Sequence, residues 1–159
     1  MIESNPIVQI DSREQVPLRI HAYPVEIVGL PVGDYGIRGF SDWSNPRFIN
    51  ERKTLNDLIG SLTSGHKRFM AEIEKLRQFT FAAILVEGLR EQIEAGDYRS
   101  RATPQSILAM LDAIEVRTGI HVVWCGTADE AARRLEAFVR QFVRGIEKDA
   151  RRLEAGPPE

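Results

Sequence analysis

Residues 33–57 read GDYGIRGFSDWSNPRFINERKTLND, and two strands with a turn between them account for most of that segment. Tyr35 to Phe40 and Arg47 to Lys53 read as strands, and Gly39 to Pro46 holds the Ser, Asp, Asn, Gly and Pro of a hairpin loop. Side chains two apart on a strand share a face, so Glu51 and Lys53 project together while Arg52 faces the other way. Gly33 permits a tight turn and close backbone approach, and a hairpin between the two strands brings Asp34 near Glu51 and Lys53. Two carboxylates on one spot can hold Mg²⁺, a hard cation that keeps waters for a phosphate to displace. A lysine beside that ion can orient or help deprotonate an attacking water and offset charge in the transition state. Phosphodiester hydrolysis needs these parts.

Working outward, Ile7, Val8 and Ile10 form a short strand, and Val25, Ile27, Val28 and Leu30 form another that stops at Pro31 and Gly33. The spacing predicts that these four strands form a meander. Downstream the pattern turns helical: Leu55, Leu58, Ile59 and Leu62 share one face, and Phe69, Ile73 and Leu76 follow the Thr63 to Gly65 break. Phe81 to Val86 is an unbroken apolar run, as expected of a central strand covered on both faces. Thr103 and Pro104 open a helix carrying Ile107, Leu108, Leu111 and Ile114, which Gly119 stops. Ile120 to Trp124 is a further buried strand. Thr127 with Glu130 then opens a last helix that buries Leu135, Phe138, Val139, Phe142 and Ile146. The sum is an α/β domain, a mixed sheet sandwiched between helices, with right-handed crossovers making the later strands parallel. One domain is expected over residues 1–155, with a frayed tail over 156–159.

Composition narrows the function. With 159 residues, 43% of them hydrophobic, the chain can bury one good core. Its formal net charge is −2, so any contact with nucleic acid is a local patch, and carboxylates committed to metal would offset Lys and Arg. Cys125 is the only cysteine, which excludes an intrachain disulfide and a cysteine metal cluster and suggests a buried, inert thiol. The polar opening MIESNP is unlike a signal peptide, and no apolar run approaches transmembrane length. The expectation is an intracellular, soluble protein without a membrane partner, cytoplasmic if prokaryotic or viral.

The ordered motifs Gly33-Asp34, Glu51-Arg52-Lys53 and Asp57 resemble the GD...ERKxxxD signature of the XPF family of structure-specific endonucleases. Ile10-Asp11-Ser12-Arg13-Glu14 resembles that family's first-strand VDxRE element, and the order of later elements fits from about Ile7 to about Phe142. The resemblance implies a restriction-endonuclease-like fold using Mg²⁺ or Mn²⁺ to cut DNA, at branched or flap structures in repair or recombination. It makes Asp34 and Glu51 metal carboxylates and Lys53 the catalytic lysine. Asp11 becomes an additional metal-binding acid and Arg13 a phosphate-contacting or site-organising residue, with Arg52 and Asp57 filling the remaining signature positions. Glu14 belongs to a supporting shell. Members of this family often append a tandem helix-hairpin-helix module. Here the chain ends soon after the last helix, so DNA targeting is expected to need a separate partner or a homodimer across that helix.

Other readings stand beside these. With Thr54 as N-cap, Asp57 can serve the helix start and its dipole, alone or together with a role in the site. Arg52 can pair with Asp57 or Asp11. Arg68 and Lys67, at the start of the second helix after Gly65 and His66, and Arg99 and Arg101, in the loop after the central strand with Arg90, are candidate DNA contacts; a merely solvated loop is the alternative for Arg90, Arg99 and Arg101. The mixed charges of the last helix read as a solvated, salt-bridged face. Trp43 could stack on a base or pack over the sheet edge. Two rivals to the branched-DNA reading remain: a catalytically silent DNA-binding or scaffold module of the same fold, and a nuclease specific for a duplex sequence.

Overall fold

The structure is a computed structural model and describes residues 5–158. The first four residues of the polar opening, and Glu159 of the expected tail, lie outside the described residues. In chain order the strands and helices are β1 (Val8–Asp11), β2 (Val25–Val28), β3 (Tyr35–Ile37), β4 (Ser41–Asp42), β5 (Asn45–Pro46), β6 (Phe48–Thr54), α1 (Leu55–Leu62), α2 (His66–Leu76), β7 (Phe81–Glu87), α3 (Arg90–Glu94), α4 (Pro104–Thr118), β8 (His121–Trp124) and α5 (Ala128–Ala155).

Six strands form one mixed sheet in the order β2-β1-β3-β6-β7-β8. The expected hairpin is present, with β3 antiparallel to β6 and Tyr35 opposite Asn50. Strands β6, β7 and β8 run parallel, as the crossovers through α1–α2 and α3–α4 require. The meander is not found. β2 lies parallel to β1 at the sheet edge, and β1 separates β2 from β3. A parallel pair needs a crossover of about a dozen residues or more, and residues 12–24 supply it. That connection is pinned where Leu18 buries its side chain and donates its N–H to Tyr35 Oη at 2.8 Å. The Gly39–Pro46 loop contains its own small hairpin, β4 with β5. Its Trp43 packs against Phe79, ring centroids 5.4 Å apart, although it is half exposed.

Alternation on the strands divides the core. Leu30, Val32, Ile49, Ile84 and Val86 face α1, α2 and α4, whose Leu58, Ile59, Phe69, Ile73, Ile107 and Leu111 close over them. Val8, Ile10, Tyr35, Phe48 and Leu85 face α5 through Leu135 and Val139. In α5 only Ala131, Ala132, Leu135 and Val139 are fully buried; Phe138, Phe142 and Ile146 are half-buried. Helix punctuation follows the expected chemistry: Thr54, Thr103 and Thr127 each accept a backbone N–H three residues on, and Gly119 ends α4 at φ +74°. The short α3 lies in what reads in the sequence as a plain connection. Cys125 is buried, and burial pushes its thiol up to about 11. Among the described residues, no helix is long and apolar enough to cross a membrane.

Candidate active site

The hairpin register sets the site. Gly33 turns at φ +73°, and a Cβ there would stand 2.6 Å from Ile49 Cγ1, so only glycine lets the backbone approach β6 this closely. Asp34 then donates its N–H to Asn50 O at 2.9 Å, and its Oδ2 accepts the Arg52 N–H at 2.8 Å. That bond draws Asp34 to the end of β6, where Glu51 projects. Asp34 and Glu51 line one cleft of about 470 Å³, together with Asp11, Arg13, Arg68 and Glu72. Lys53 Nζ lies 4.0 Å from Glu51 Oε1 and 5.3 Å from the centroid of Phe69, whose ring face attracts the ammonium.

Asp34 and Glu51 are costly as anions. Burial, opposed by the Arg52 N–H and reinforced by Glu14 and Glu72, pushes Asp34 up to about 6. Burial, with Asp34 and Glu72 close by, holds Glu51 well above the usual carboxylate range. The donor set, oxygen atoms from the buried Glu51 and the half-buried Asp34 with Lys53 as the nearby cation, has the chemistry of a hard divalent cation site. Among the described residues, no group of three or more His, Cys, Asp and Glu side chains is already gathered to hold a metal ion.

Asp11 differs from its two neighbours. Its Oδ1 accepts the Leu30 N–H at 2.9 Å, and its Oδ2 accepts Arg13 N at 3.1 Å and Arg13 Nε at 2.7 Å. Burial would raise this carboxyl, but those bonds hold it below its ordinary value. Asp11 is therefore the anchor of Arg13, whose guanidinium is largely exposed at the cleft.

Arg52 faces away from the cleft, as alternation requires, but its partners are neither Asp57 nor Asp11. Its Nε meets Glu87 Oε1 at 2.8 Å, and its Nη1 meets Glu14 Oε2 at 3.2 Å and Val16 O at 2.5 Å. Glu14 also accepts the Tyr35 hydroxyl at 2.6 Å. Glu87 lies at the end of the neighbouring parallel strand, opposite Thr54, and outcompetes the more distant acids. Asp57 is exposed in the first turn of α1, where its N–H reaches Thr54 Oγ1 at 3.2 Å.

The candidate DNA contacts are dispersed. Arg68 stands at the cleft, and Lys67 is exposed beside it on α2. Arg99 lines a second cleft with Thr54, Asn56 and Glu87, and its N–H reaches Asn56 Oδ1 at 3.3 Å. Arg101 is exposed and lines neither cleft. Sequence reasoning missed Glu72 and Lys75, which α2 adds to the first cleft. With Arg68 they stand at i, i+4 and i+7 on one helix face, a visible periodicity, but only the docking of α2 turns that face toward β6.

A mixed sheet between helices, with a cleft of acidic and basic residues at the hairpin end, places the chain among α/β domains whose charged cleft lies at a strand end. The chain belongs to the ERCC4 domain family, which matches residues 10–138. Among solved structures it is similar to XPF from Aeropyrum pernix, at 27% identity and a TM-score of 0.68, covering 86% of this chain and 61% of that one. It is also similar to XPF from Aeropyrum pernix in complex with DNA, at 25% identity and a TM-score of 0.66, covering 89% of this chain and 66% of that one. The chain thus spans about three fifths of the length of the first of these relatives. No curated protein matches it. The restriction-endonuclease-like sheet flanked by helices is the fold found.

Proposed function

We propose that this domain is a metal-dependent endonuclease that hydrolyses phosphodiester bonds in DNA. The observation that carries the proposal is the meeting of Asp34 and Glu51 at one cleft, with Lys53 Nζ 4.0 Å from Glu51 Oε1 and both carboxylates held above their ordinary pKa by burial. Family membership and likeness to an XPF–DNA complex support DNA as the substrate. Asp34 and Glu51 would hold Mg²⁺ or Mn²⁺, which when bound polarises the phosphate and lowers the pKa of a coordinated water.

The chain's own residues supply the rest. Lys53, kept beside Glu51 by the Phe69 ring, orients the attacking water and offsets the negative charge that grows on the phosphate oxygens. Water adds to phosphorus, one P–O bond to the sugar breaks, and the leaving oxygen takes up a proton. Arg13, fixed by Asp11, and Arg68, from α2, hold backbone phosphates at the rim. Lys67, Arg99 and Arg101 extend the phosphate track outside the cleft. Asp57 supports the α1 terminus through its charge near the helix dipole, and Arg52 braces the far side of β6.

Branched or flap DNA, in repair or recombination, is the substrate class the family resemblance favours. The domain unit is residues 1–155, with a homodimer or a separate DNA-targeting partner adding grip. The test is a cleavage panel on end-labelled flaps, junctions, bubbles, duplex and single strands with Mg²⁺ or Mn²⁺, run beside Asp34→Asn. Metal-dependent cutting that is absent in the variant is expected. No cutting of any substrate with either metal contradicts the proposal and leaves a silent DNA-binding module, and cutting confined to one duplex sequence replaces the branched-DNA preference.

A further inference from the structure

We propose that Glu72 on α2 is the third carboxylate of the cation site, closing on the ion from the helix that covers the cleft; the inference rests on the nuclease reading above. Glu51 is only 7% exposed, and among the described residues its one ion-pair partner is Lys53, at 4.0 Å. Another acid stands with it: Glu72 lines the same cleft as Glu51 and Asp34, and its charge raises the pKa of both. Carboxylates gathered at one cleft repel one another as anions. A divalent cation among them relieves that repulsion.

An ordinary surface role for Glu72 would look different. Arg68 lies four residues before it and Lys75 three residues after it, both at the same cleft and both spaced for an intrahelical ion pair. Among the described residues Glu72 forms no ion pair with either. It stands instead at the cleft that Asp34 and Glu51 line. The rotation of α2 that permits this is fixed by Phe69, Ile73 and Leu76, all buried at 2% exposure or less. The three acids do not yet form a finished cage, and Glu72, at the end of a side chain with three rotatable bonds, is the member that completes it by changing rotamer. The residue lies outside the strand signature, so a search confined to Gly33-Asp34 and Glu51-Arg52-Lys53 passes it by.

The test is calorimetric titration of Mn²⁺ into the protein without DNA, for the wild type, Glu72→Gln, Glu72→Ala and Asp34→Asn, with melting curves in EDTA to show that each is folded. Binding by the wild type, its loss in Asp34→Asn and a weakening of about tenfold or more in both Glu72 variants are expected. If both Glu72 variants bind Mn²⁺ as tightly as the wild type while Asp34→Asn does not, the role of Glu72 is overturned and the cation site on β3 and β6 stands. If the wild type binds no Mn²⁺, or Asp34→Asn binds it unchanged, the cation reading and the role of Glu72 fall together.

Discussion

The two faces of β6 carry opposite electrostatics. On the α5 side, Arg52 is shared between Glu14 and Glu87 and donates to Val16 O, and Glu14 accepts the Tyr35 hydroxyl, so each charge meets its complement. On the α2 side, one residue away along the strand, Glu51 is buried against Asp34 and Glu72, with only Lys53 to balance it. A chain selected only for stability would not leave acids so placed, because an anion taken out of water needs a partner. The difference teaches that one strand is braced by matched charges on one face while its other face keeps acids that burial makes costly as anions. Asn50 is the exception on the braced side: its amide is fully buried and finds no hydrogen-bond partner among the described residues.

Substitutions that reverse one face at a time sharpen this contrast. Glu51→Gln should lower cleavage by about a thousandfold, roughly 4 kcal/mol of transition-state stabilisation, while raising the urea midpoint of the metal-free protein. A fall in both would place Glu51 in the framework and not in the site. Arg52→Ala should act oppositely, costing on the order of 3 kcal/mol in urea unfolding because it strands two partly buried carboxylates. If stability is unchanged, the brace is not what holds β6.

The pH dependence of Asp34 gives a third, smaller effect. Its carboxyl stands near 6 in the folded protein against an ordinary value of 3.8, so the folded state binds a proton that the unfolded state has released between those values. Stability from this group is therefore lost as pH rises toward and through about 6. In EDTA, the stability of the wild type relative to Asp34→Asn should fall by about 2 kcal/mol between pH 4.5 and 7.5. A pH-independent difference would mean that Asp34 is solvated as an ordinary anion. Smallest of all, Asn50→Leu should stabilise the domain by about 1 kcal/mol, because an apolar side chain of similar size removes an unpaired amide. Destabilisation there would show that a buried water satisfies Asn50.

Much of this was legible in the sequence where the cause is local. Alternation put Glu51 and Lys53 together, the glycine at 33 announced the close turn, and three threonine caps marked helix starts, because each depends on residues a few positions apart. What depended on distant packing was not legible. Nothing near Val25 says that β2 pairs parallel with β1, since that follows from the route of residues 12–24. Glu14 and Glu87 as partners of Arg52 come from two separate segments brought to one strand end. The position of Arg68 at the start of α2 marks it as a candidate phosphate contact, yet the same helix face hides Glu72, because a carboxylate flanked by Arg68 and Lys75 looks like an intrahelical ion pair until α2 is seen against β6.

The most direct test is single-turnover cleavage of an end-labelled flap substrate by the wild type and Lys53→Ala, with Mg²⁺ and with EDTA, at matched folded fractions. Lys53 is half-buried beside Glu51 and pairs with it only loosely, at 4.0 Å, so its removal should leave folding nearly unchanged. Cutting by the wild type with Mg²⁺ alone, and a loss of about a hundredfold or more in Lys53→Ala, is the predicted result. Cleavage that persists in EDTA, or that survives in Lys53→Ala at the wild-type rate, would contradict the assignment of this cleft as a metal-dependent nuclease site.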